Sequence, residues 1–292
     1  MDERYPLKLR QYHWHFGLDK PLKVLHISDS HLIGANGSDK PVKHELAARR
    51  IHEFEHDQKR NEPGSLEEYF HTACRYARDN GELLVHTGDL IDYISAGALE
   101  KMRRIISEIP MIFTPGNHEY FTEIWPQYRD PDEPHSWEDV KKILPGGSQF
   151  VSHICNGVNF IAVDNAKYRF TAEQLAKFRE EAAKKLPIVM LCHVQIHTPE
   201  NYARYFTPTH PCAYTAGCPV ELMEGYPDEL REEQKPDEAT NEFIAMLKEC
   251  KELRAILCGH HHLPFESEFV PGVIQRVVGG GYLGYACEYF ID

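Results

Sequence analysis

Met111-Ile112-Phe113-Thr114-Pro115-Gly116-Asn117-His118-Glu119 joins a short apolar run to a polar turn. The apolar run is typical of a buried β-strand, and the glycine allows a tight turn directly after it. Asn117 then offers a neutral carbonyl oxygen to a cation, while the imidazole of His118 points elsewhere. An imidazole at the edge of a cation site can donate a proton. The stretch predicts a strand that ends in a metal-binding loop or, read alone, an ordinary loop with a polar pair.

Four other polar motifs follow apolar runs along the chain. They are Asp29-Ser30-His31 after residues 24–27, Gly88-Asp89-Leu90-Ile91-Asp92 after residues 83–85, His193 after residues 188–191, and Gly259-His260-His261-His262 after residues 255–258. The polar residues therefore cluster at the carboxyl ends of predicted strands. Open α/β sheets bind ligands at those ends, which makes these motifs the candidate site.

The carboxylates of the first two motifs are candidate metal ligands. Asp29 and His31 lie at positions i and i+2 of a chain that leaves a strand, so both can aim at one point while Ser30 faces away. Asp89 ends a neighbouring strand, and its two carboxylate oxygens can bridge two metals. Read alone, each motif is more often an ordinary turn or helix cap. Asp92, one helical turn further on, is better placed to accept a hydrogen bond and orient a ligand.

The histidines of the last two motifs differ in what they indicate. An isolated histidine such as His193 at a strand end is usually a hydrogen-bonded structural residue, and only the other motifs make it a candidate ligand. In the triple histidine, His260 and His262 project to one side. Three adjacent histidines are hard to explain by packing in a hydrophobic core, so a metal site is the favoured interpretation here. Nitrogen and oxygen ligands without thiolate suit Mn, Fe, Zn, Co or Ni and do not choose among them.

The order of these motifs resembles that of the calcineurin-like metallophosphoesterase superfamily, and the match spans residues 29–262. The resemblance implies hydrolysis of a phosphoric monoester or diester by a hydroxide bound to two divalent or trivalent transition-metal ions. It assigns one metal to Asp29, His31 and His262, the other metal to Asn117, His193 and His260, and a bridge between them to Asp89. His118 would be the general acid and substrate clamp. Asp92, from its position as an acceptor that orients a ligand, is the second predicted catalytic residue.

The resemblance also implies a layered α/β fold, in which a β-sandwich of two mixed sheets is flanked by helices. The strand-like runs agree with it and are predicted at residues 23–28, 82–88, 110–114, 149–154, 158–164, 186–192 and 254–259. Helices are predicted at 65–80, 171–185 and 239–251. Asn156-Gly157 predicts a hairpin with a type I′ turn, and Pro271-Gly272 predicts a turn between two strands that follow Phe265.

A chain of 292 residues without a Gly/Ser linker is predicted to form a single domain over residues 1–292. Two excursions do not fit its core. The first, at about 33–64, contains a charged helix around 43–59 with few apolar anchors. The second, at about 199–237, carries five aromatic residues among prolines and acids. Loops of this length are usually functional lids or disordered, so a substrate lid and an inert insertion both remain open.

The composition bears on partners and location. The 45 acidic and 32 basic residues give a net charge of -13, so the chain has no excess of positive charge to attract duplex nucleic acid or an anionic membrane. A repair-type nuclease is therefore disfavoured, and the expected substrate is a small phosphate ester, with a nucleotide among the candidates. The polar N-terminus and the lack of a membrane-spanning apolar run predict a cytoplasmic protein. The eight cysteines form no compact framework and are mostly expected to be reduced core thiols.

The motifs do not identify the substrate, and they do not decide whether the protein is catalytically active. The blocks at 27–32 and 116–119 also resemble those of bacterial cyclic-nucleotide phosphodiesterases, but nucleotidases and pyrophosphohydrolases of the superfamily share them. Some family members in protein-sorting complexes keep the fold and have lost turnover. A catalytically inactive scaffold is therefore the alternative, and the intact ligand motifs argue against it. Neither the oligomeric state nor the metal pair follows from the sequence.

Overall fold

In the computed structural model the described residues are 4–58, 64–144, 149–207 and 209–292. The strands within these ranges are β1 Lys8–Trp14, β2 Leu22–Ile27, β3 Leu83–His86, β4 Ile112–Phe113, β5 Phe150–Cys155, β6 Val158–Val163, β7 Ile188–Leu191, β8 Leu253–Cys258, β9 Phe265–Val270, β10 Val273–Val277 and β11 Tyr285–Ile291. The α-helices are α1 Pro41–His52, α2 Leu66–Asn80, α3 Ala96–Glu108, α4 Trp137–Ile143, α5 Ala172–Ala182, α6 Pro199–Tyr205, α7 Asp228–Gln234 and α8 Glu238–Glu249. None of the helices in these ranges combines the length and apolarity that a bilayer span requires.

The strands form two mixed sheets. The first has the order β1-β11-β2-β3-β4, with β11 and β2 antiparallel and the other pairs parallel. The second has the order β5-β6-β7-β8-β10-β9, with antiparallel pairs at its two edges and parallel pairs between them. The predicted sandwich of two mixed sheets is confirmed.

Apolar side chains fill the space between the sheets. Val24 and Val85 from the first sheet share a buried cluster with Phe160, Leu191 and Leu257 from the second. Because helices also cover the outer faces, the central strands are buried on both sides. This double burial explains why they read as continuous apolar runs and not as alternating patterns.

Helices cover the outer face of each sheet. On the first sheet, α1 to α4 contribute to one cluster that includes Leu46 and Phe70. On the second, α5 and α8 pack through Phe178 and Phe243, and the ring of Phe243 stacks on Phe170 with centroids 4.3 Å apart. The resulting order of layers is helices, sheet, sheet, helices, which confirms the predicted fold class.

Most of the predicted elements are present. Each of the seven predicted strands lies within two residues of a strand in the structure. Helix α2 begins at a capping box, in which the Ser65 side chain accepts a hydrogen bond from Glu68 N, and it ends at Gly81. Asn156 and Gly157 have φ of 46° and 88°, as a type I′ hairpin requires.

Strands β1 and β11 lie outside the predicted set, although they complete the first sheet. They pair in parallel, with Lys8 opposite Tyr285 and Trp14 opposite Ile291. The segment around Trp14 is thus the edge strand itself. Helices α3 and α4 also lie outside the predicted set.

The two excursions pack more tightly than their sequences indicate. In the first, α1 continues into a π-helical turn at Glu53–Gln58, and Leu46 and Phe54 are fully buried against the first sheet's helices. The apolar anchors of this segment are few but fully buried, and residues 59–63 lie outside the described ranges. In the second, Tyr205, Met223 and Tyr226 belong to a small buried cluster of their own. All eight cysteines are free thiols.

Candidate metal centre

The predicted site residues follow the carboxyl ends of strands in both sheets. Strands β2, β3 and β4 are neighbours in the first sheet, and β7 and β8 are neighbours in the second. Their ends meet at one edge of the sandwich. All nine predicted residues are brought together there, each in contact with at least one other: Asp29, His31, Asp89, Asp92, Asn117, His118, His193, His260 and His262.

The backbone at this edge adopts an unusual conformation. Five of the predicted ligands have left-handed φ values between 46° and 74°: Asp29, His31, Asp89, His260 and His262. Non-glycine residues in this region cost about 1–3 kcal/mol each and tend to collect at functional sites. Gly88 is needed beside them, because at its φ of 95° a Cβ atom would lie 2.5 Å from His193 Nδ1.

A first cluster contains Asp29, His31, Asp89 and His262. His262 Nε2 lies 3.3 Å from Asp29 Oδ1 and 3.1 Å from His31 Nε2. His31 Nε2 lies 3.8 Å from Asp89 Oδ2. One nitrogen or oxygen atom from each residue lies within 4.8 Å of the others, an arrangement that could hold a metal ion. The grouping matches the ligand set that the motifs imply for one metal, with Asp89 at its border.

A second cluster contains Asn117, His193 and His260. Asn117 Oδ1 lies 3.1 Å from His193 Nε2 and 3.0 Å from His260 Nδ1. His193 Nε2 also lies 3.2 Å from Asp89 Oδ2. The same Asp89 oxygen therefore faces both clusters, which is the position that a bridging carboxylate needs.

The hydrogen bonds of two imidazoles fix which nitrogen faces the clusters. His193 Nδ1 lies 2.7 Å from the Thr87 carbonyl oxygen, which can only accept, so the proton is on Nδ1. His31 Nδ1 lies 2.9 Å from Asp92 Oδ1 and donates to that carboxylate. In their neutral forms, both rings therefore direct the lone pair of Nε2 toward oxygen acceptors. Converging lone pairs repel one another unless a cation lies between them, so this donor set fits metal ions.

The ionisation of the site shows the same need for positive charge. Burial opposes ionisation of Asp89 and Asp29, but the histidines around them outweigh it and hold the pKa of both carboxyls below their usual range. Burial also opposes protonation of His193, yet the Asp89 carboxylate raises the pKa of this imidazole to about 10. Burial lowers the pKa of His31 to about 4. Without a metal, a proton on His193 would supply the charge that the buried carboxylates attract.

His118 lies beside the clusters with one nitrogen free. Its Nδ1 donates to the Asp92 carbonyl oxygen at 2.6 Å and lies 3.4 Å from Asp92 Oδ1. Among the described residues no hydrogen bond to His118 Nε2 is present. Burial opposes its protonation, but the carboxylates of Asp89 and Asp92 raise the pKa of His118 to about 9. The ring can therefore carry an N–H proton at neutral pH.

Asp92 lies behind His31 and His118 and is held by a residue that the motifs do not include. Arg50, on α1, donates from Nε to Asp92 Oδ2 at 2.6 Å and from Nη2 to Asp92 Oδ1 at 2.7 Å. Its Nη1 donates to Glu53 Oε2 at 2.8 Å. The first excursion therefore supports the site through a buried guanidinium. The charged helical pattern of this segment does not by itself indicate a buried arginine, because the partner, Asp92, lies in a different part of the sequence.

Glu119, the last residue of the Gly-Asn-His-Glu motif, holds the backbone of the site. Its Oε2 accepts hydrogen bonds from the backbone N–H groups of Asp89 and Gly116, at 2.9 Å and 2.7 Å. Its Oε1 accepts from Ile91 N at 3.0 Å. This carboxylate ties two of the ligand loops together. Glu119 is not among the predicted site residues, although its place in the motif is a signal.

Two tyrosine hydroxyls contact the outer nitrogens of the triple histidine. Tyr168 Oη lies 3.1 Å from His260 Nε2, and Tyr282 Oη lies 3.2 Å from His262 Nδ1. These contacts leave His260 Nδ1 and His262 Nε2 facing the clusters. From the second excursion, Tyr205 stacks on the middle histidine, His261, with ring centroids 3.5 Å apart. Whether this segment closes over a substrate stays a prediction.

A two-sheet sandwich whose strand ends carry paired clusters of Asp, His and Asn defines a metal-binding α/β protein. The model of the calcineurin-like phosphoesterase family matches residues 22–264, and the chain belongs to that family. The clustered Asp and His side chains agree with the dinuclear metal sites of the family. No curated protein sequence matches this chain significantly.

Several solved structures are similar in overall fold. A dimetal phosphatase from Danio rerio shares 10% identity and a TM-score of 0.47, with 91% of each chain covered. The phosphopantetheinyl hydrolase of Mycobacterium tuberculosis shares 13% identity and a TM-score of 0.46, with 89% of this chain and 90% of that chain covered. A putative 5'-nucleotidase from Staphylococcus aureus shares 12% identity and a TM-score of 0.42, with 90% of this chain but 49% of that chain covered.

Proposed function

We propose that this protein is a metal-dependent hydrolase of phosphoric esters. Asp29, His31 and His262 would hold one metal, and Asn117, His193 and His260 the other. The observation that carries the proposal is the position of Asp89, whose Oδ2 lies 3.2 Å from His193 Nε2 and 3.8 Å from His31 Nε2. One carboxylate oxygen between two sets of ligand atoms is what a dinuclear centre needs.

When bound, two such metals supply Lewis acidity toward a phosphoryl oxygen and lower the pKa of a bound water. Asp29 and Asp89 contribute two negative charges against at least four positive ones, so the centre attracts a phosphate oxygen. Asn117 is neutral, so it would not reduce the excess of positive charge at the centre. The nitrogen and oxygen ligands suit Mn, Fe, Zn, Co or Ni.

His118 would protonate the leaving oxygen of the ester. The Asp92 carbonyl oxygen holds the ring through Nδ1 at 2.6 Å, so Nε2 is the atom that donates. Without metals, burial opposes protonation of His118 but the carboxylates of Asp89 and Asp92 raise its pKa to about 9, which favours the proton-carrying ring. General acid catalysis of this kind contributes about 10²- to 10⁴-fold. Asp92, held by Arg50, orients both His31 and His118.

The proposed substrate is a small phosphate ester in the cytoplasm, with a nucleotide among the candidates. The net charge of -13 speaks against duplex nucleic acid as substrate. The runner-up is a scaffold that keeps the fold and binds metal without turnover. No contact among the described residues favours it over the enzyme.

Metal-stripped protein, resupplied separately with Mn, Ni, Zn or Mg, tests the proposal. Hydrolysis of bis-nitrophenyl phosphate and of nitrophenyl phosphate would be followed by release of nitrophenolate. We expect turnover of at least one ester that depends on the added metal, and the ratio of the two rates separates diesters from monoesters. Bound metal without turnover of either ester would favour the scaffold.

A further inference from the structure

A cavity of about 700 Å³ opens directly beside the metal centre. Asn117 lies in its wall, so the cavity adjoins the second ligand cluster. Its size is within the range of small-molecule sites, about 300–1,000 Å³. A phosphate group alone fills only a small part of this space. The rest is available to the organic group of an ester bound at the metals.

The wall next to Asn117 is aromatic. Phe121 is 38% exposed, and it lines the cavity together with Tyr120 and Trp137. Tyr120 and Trp137 stack with centroids 4.0 Å apart and an interplanar angle of 21°. The Tyr120 hydroxyl donates to the buried carboxylate of Asp164, which fixes this pair of rings. A solvent-exposed ring beside a fixed aromatic pair offers a planar ligand a surface to stack on.

The wall of the cavity carries charges of both signs. Lys167 and Arg169 line it together with Asp164, Glu233 and Asp237. Arg169 is held in place, since it donates to the carbonyl oxygens of Glu232 and Lys235. Lys167 Nζ lies 4.6 Å from the centroid of the Tyr120 ring. A wall in which acidic groups outnumber basic ones by one gives no net attraction to a polyanion and suits an uncharged organic group.

We propose that this cavity holds the organic group of the substrate and selects a planar aromatic ring of nucleobase size, stacked on Phe121. This inference rests on the proposed function, because it places the phosphate of the same molecule at the metal centre. The substrate class is then a phosphate ester of a nucleoside. Aliphatic and sugar phosphates would reach the metals but leave the aromatic wall uncovered.

Competition between two ligands tests the proposal. Adenosine 5′-monophosphate and ribose 5-phosphate have the same phosphate and sugar and differ by the base. Each would be titrated as an inhibitor of the metal-loaded enzyme, with whichever of the two nitrophenyl esters it hydrolyses as the reporter substrate. Stacking of one base on an aromatic side chain corresponds to about tenfold in affinity. We therefore expect the nucleotide to have an inhibition constant about tenfold lower.

Three variants locate the effect. Phe121→Ala should bring the two inhibition constants close together, and Phe121→Leu, which keeps apolar bulk without a ring, should fall between. Ile154→Ala removes another exposed apolar side chain on β5 and should leave the ratio unchanged. The ratio of the two inhibition constants does not change when a variant loses turnover in general. This property is needed because the Phe121 ring lies 5.4 Å from that of His118, so a substitution at Phe121 can also affect turnover.

Equal inhibition constants in the unmodified enzyme, or a ratio that survives Phe121→Ala, would overturn the proposal. Failure of the proposed function looks different, since neither bis-nitrophenyl phosphate nor nitrophenyl phosphate would then be hydrolysed with any metal. In that case, quenching of Trp137 fluorescence by the same two ligands measures their binding without turnover, with Trp137→Phe to identify the signal. Preference for the nucleotide would uphold the cavity's selectivity, and no preference would reject it.

Discussion

Arg50 and Asp92 form a bidentate ion pair in the interior, with contacts of 2.6 Å and 2.7 Å. The side chain of Arg50 is 6% exposed and that of Asp92 is fully buried. Burial opposes ionisation of Asp92, but the guanidinium holds the pKa of this carboxyl well below its usual range. The pair connects the first excursion to His31 and His118, so a segment outside the family motifs supports the site.

Arg50→Gln should therefore impair both stability and activity. Removing one partner of a buried ion pair leaves the charge of the other uncompensated, which destabilises the protein by about 3 kcal/mol. Loss of a residue that orients ligands lowers metal affinity or activity by about 10- to 100-fold. Urea unfolding and metal-dependent ester hydrolysis measure the two effects. Arg49→Gln, on the exposed face of the same helix, is the matched control. Unchanged turnover in Arg50→Gln would contradict a supporting role for this residue.

Asp89→Asn should weaken binding of both metals together. The substitution keeps the shape of the side chain but removes the charge that faces His193 and His31. We expect at least a tenfold rise in the metal concentration needed for half-maximal activity, measured by titration of stripped protein. Asp19→Asn changes an exposed carboxylate and should have no effect. If Asp89→Asn released a single metal and retained the other at full affinity, Asp89 would not be a bridge.

His118→Asn should retain both metals and lose activity in a substrate-dependent way. Loss of a general acid costs about 10²- to 10⁴-fold when the leaving group is a poor one, such as an alkoxide. Nitrophenolate leaves without protonation, so nitrophenyl esters should be affected much less. The informative measurement is the ratio of rates on alkyl and nitrophenyl esters, with metal content checked by elemental analysis. Equal losses on both would remove His118 from the acid role.

The metal-free protein should lose stability as the pH rises from 7 to 10. The carboxylates raise the pKa of His118 to about 9 and that of His193 to about 10 in the folded state. Groups with raised pKa values contribute stability that is fully present below the unfolded value of about 6.5 and is lost as the pH passes the folded one. Urea midpoints at pH 7, 8, 9 and 10 measure this loss. In His193→Asn the decline should be shallower, and an equal decline would argue against the protonated imidazole.

Gly88→Ala should destabilise the protein more than a glycine substitution elsewhere with similar backbone geometry. At Gly88, with φ of 95°, the added Cβ would lie 2.5 Å from His193 Nδ1. Gly17 has φ of 73° but open space around it, so Gly17→Ala isolates the backbone strain of about 1 kcal/mol. We expect Gly88→Ala to cost about 2 kcal/mol more and to weaken metal binding. Similar free energies of unfolding for the two variants would mean that the loops around Gly88 can move to accommodate the added Cβ without destabilising the protein.

The parts of the fold that the sequence predicts are those with local signals. The continuous apolar runs before Asp29, Asp89 and His193 mark central strands, because burial on both faces removes the alternation of side chains. The hairpin at Asn156 follows from turn chemistry that needs only two residues. The order of the motifs then places the ligands at strand ends.

Other parts depend on contacts between distant segments and have no local signal. Strand β1 pairs with β11, so that Lys8 lies opposite Tyr285 across nearly the whole chain. Arg50 reaches Asp92 only because the first excursion folds back onto the first sheet. Tyr168 contacts His260, a histidine 92 residues away in sequence. Such residues follow from tertiary packing, which the pattern of apolar residues does not specify.

Electron paramagnetic resonance of protein loaded with manganese, with metal counted in the same sample, tests the central claim most directly. A dinuclear centre bridged by Asp89 predicts two manganese ions per chain and the multiline spectrum of a spin-coupled pair. One ion per chain, or two ions with the spectra of isolated sites, would contradict the shared carboxylate and the reaction proposed for it.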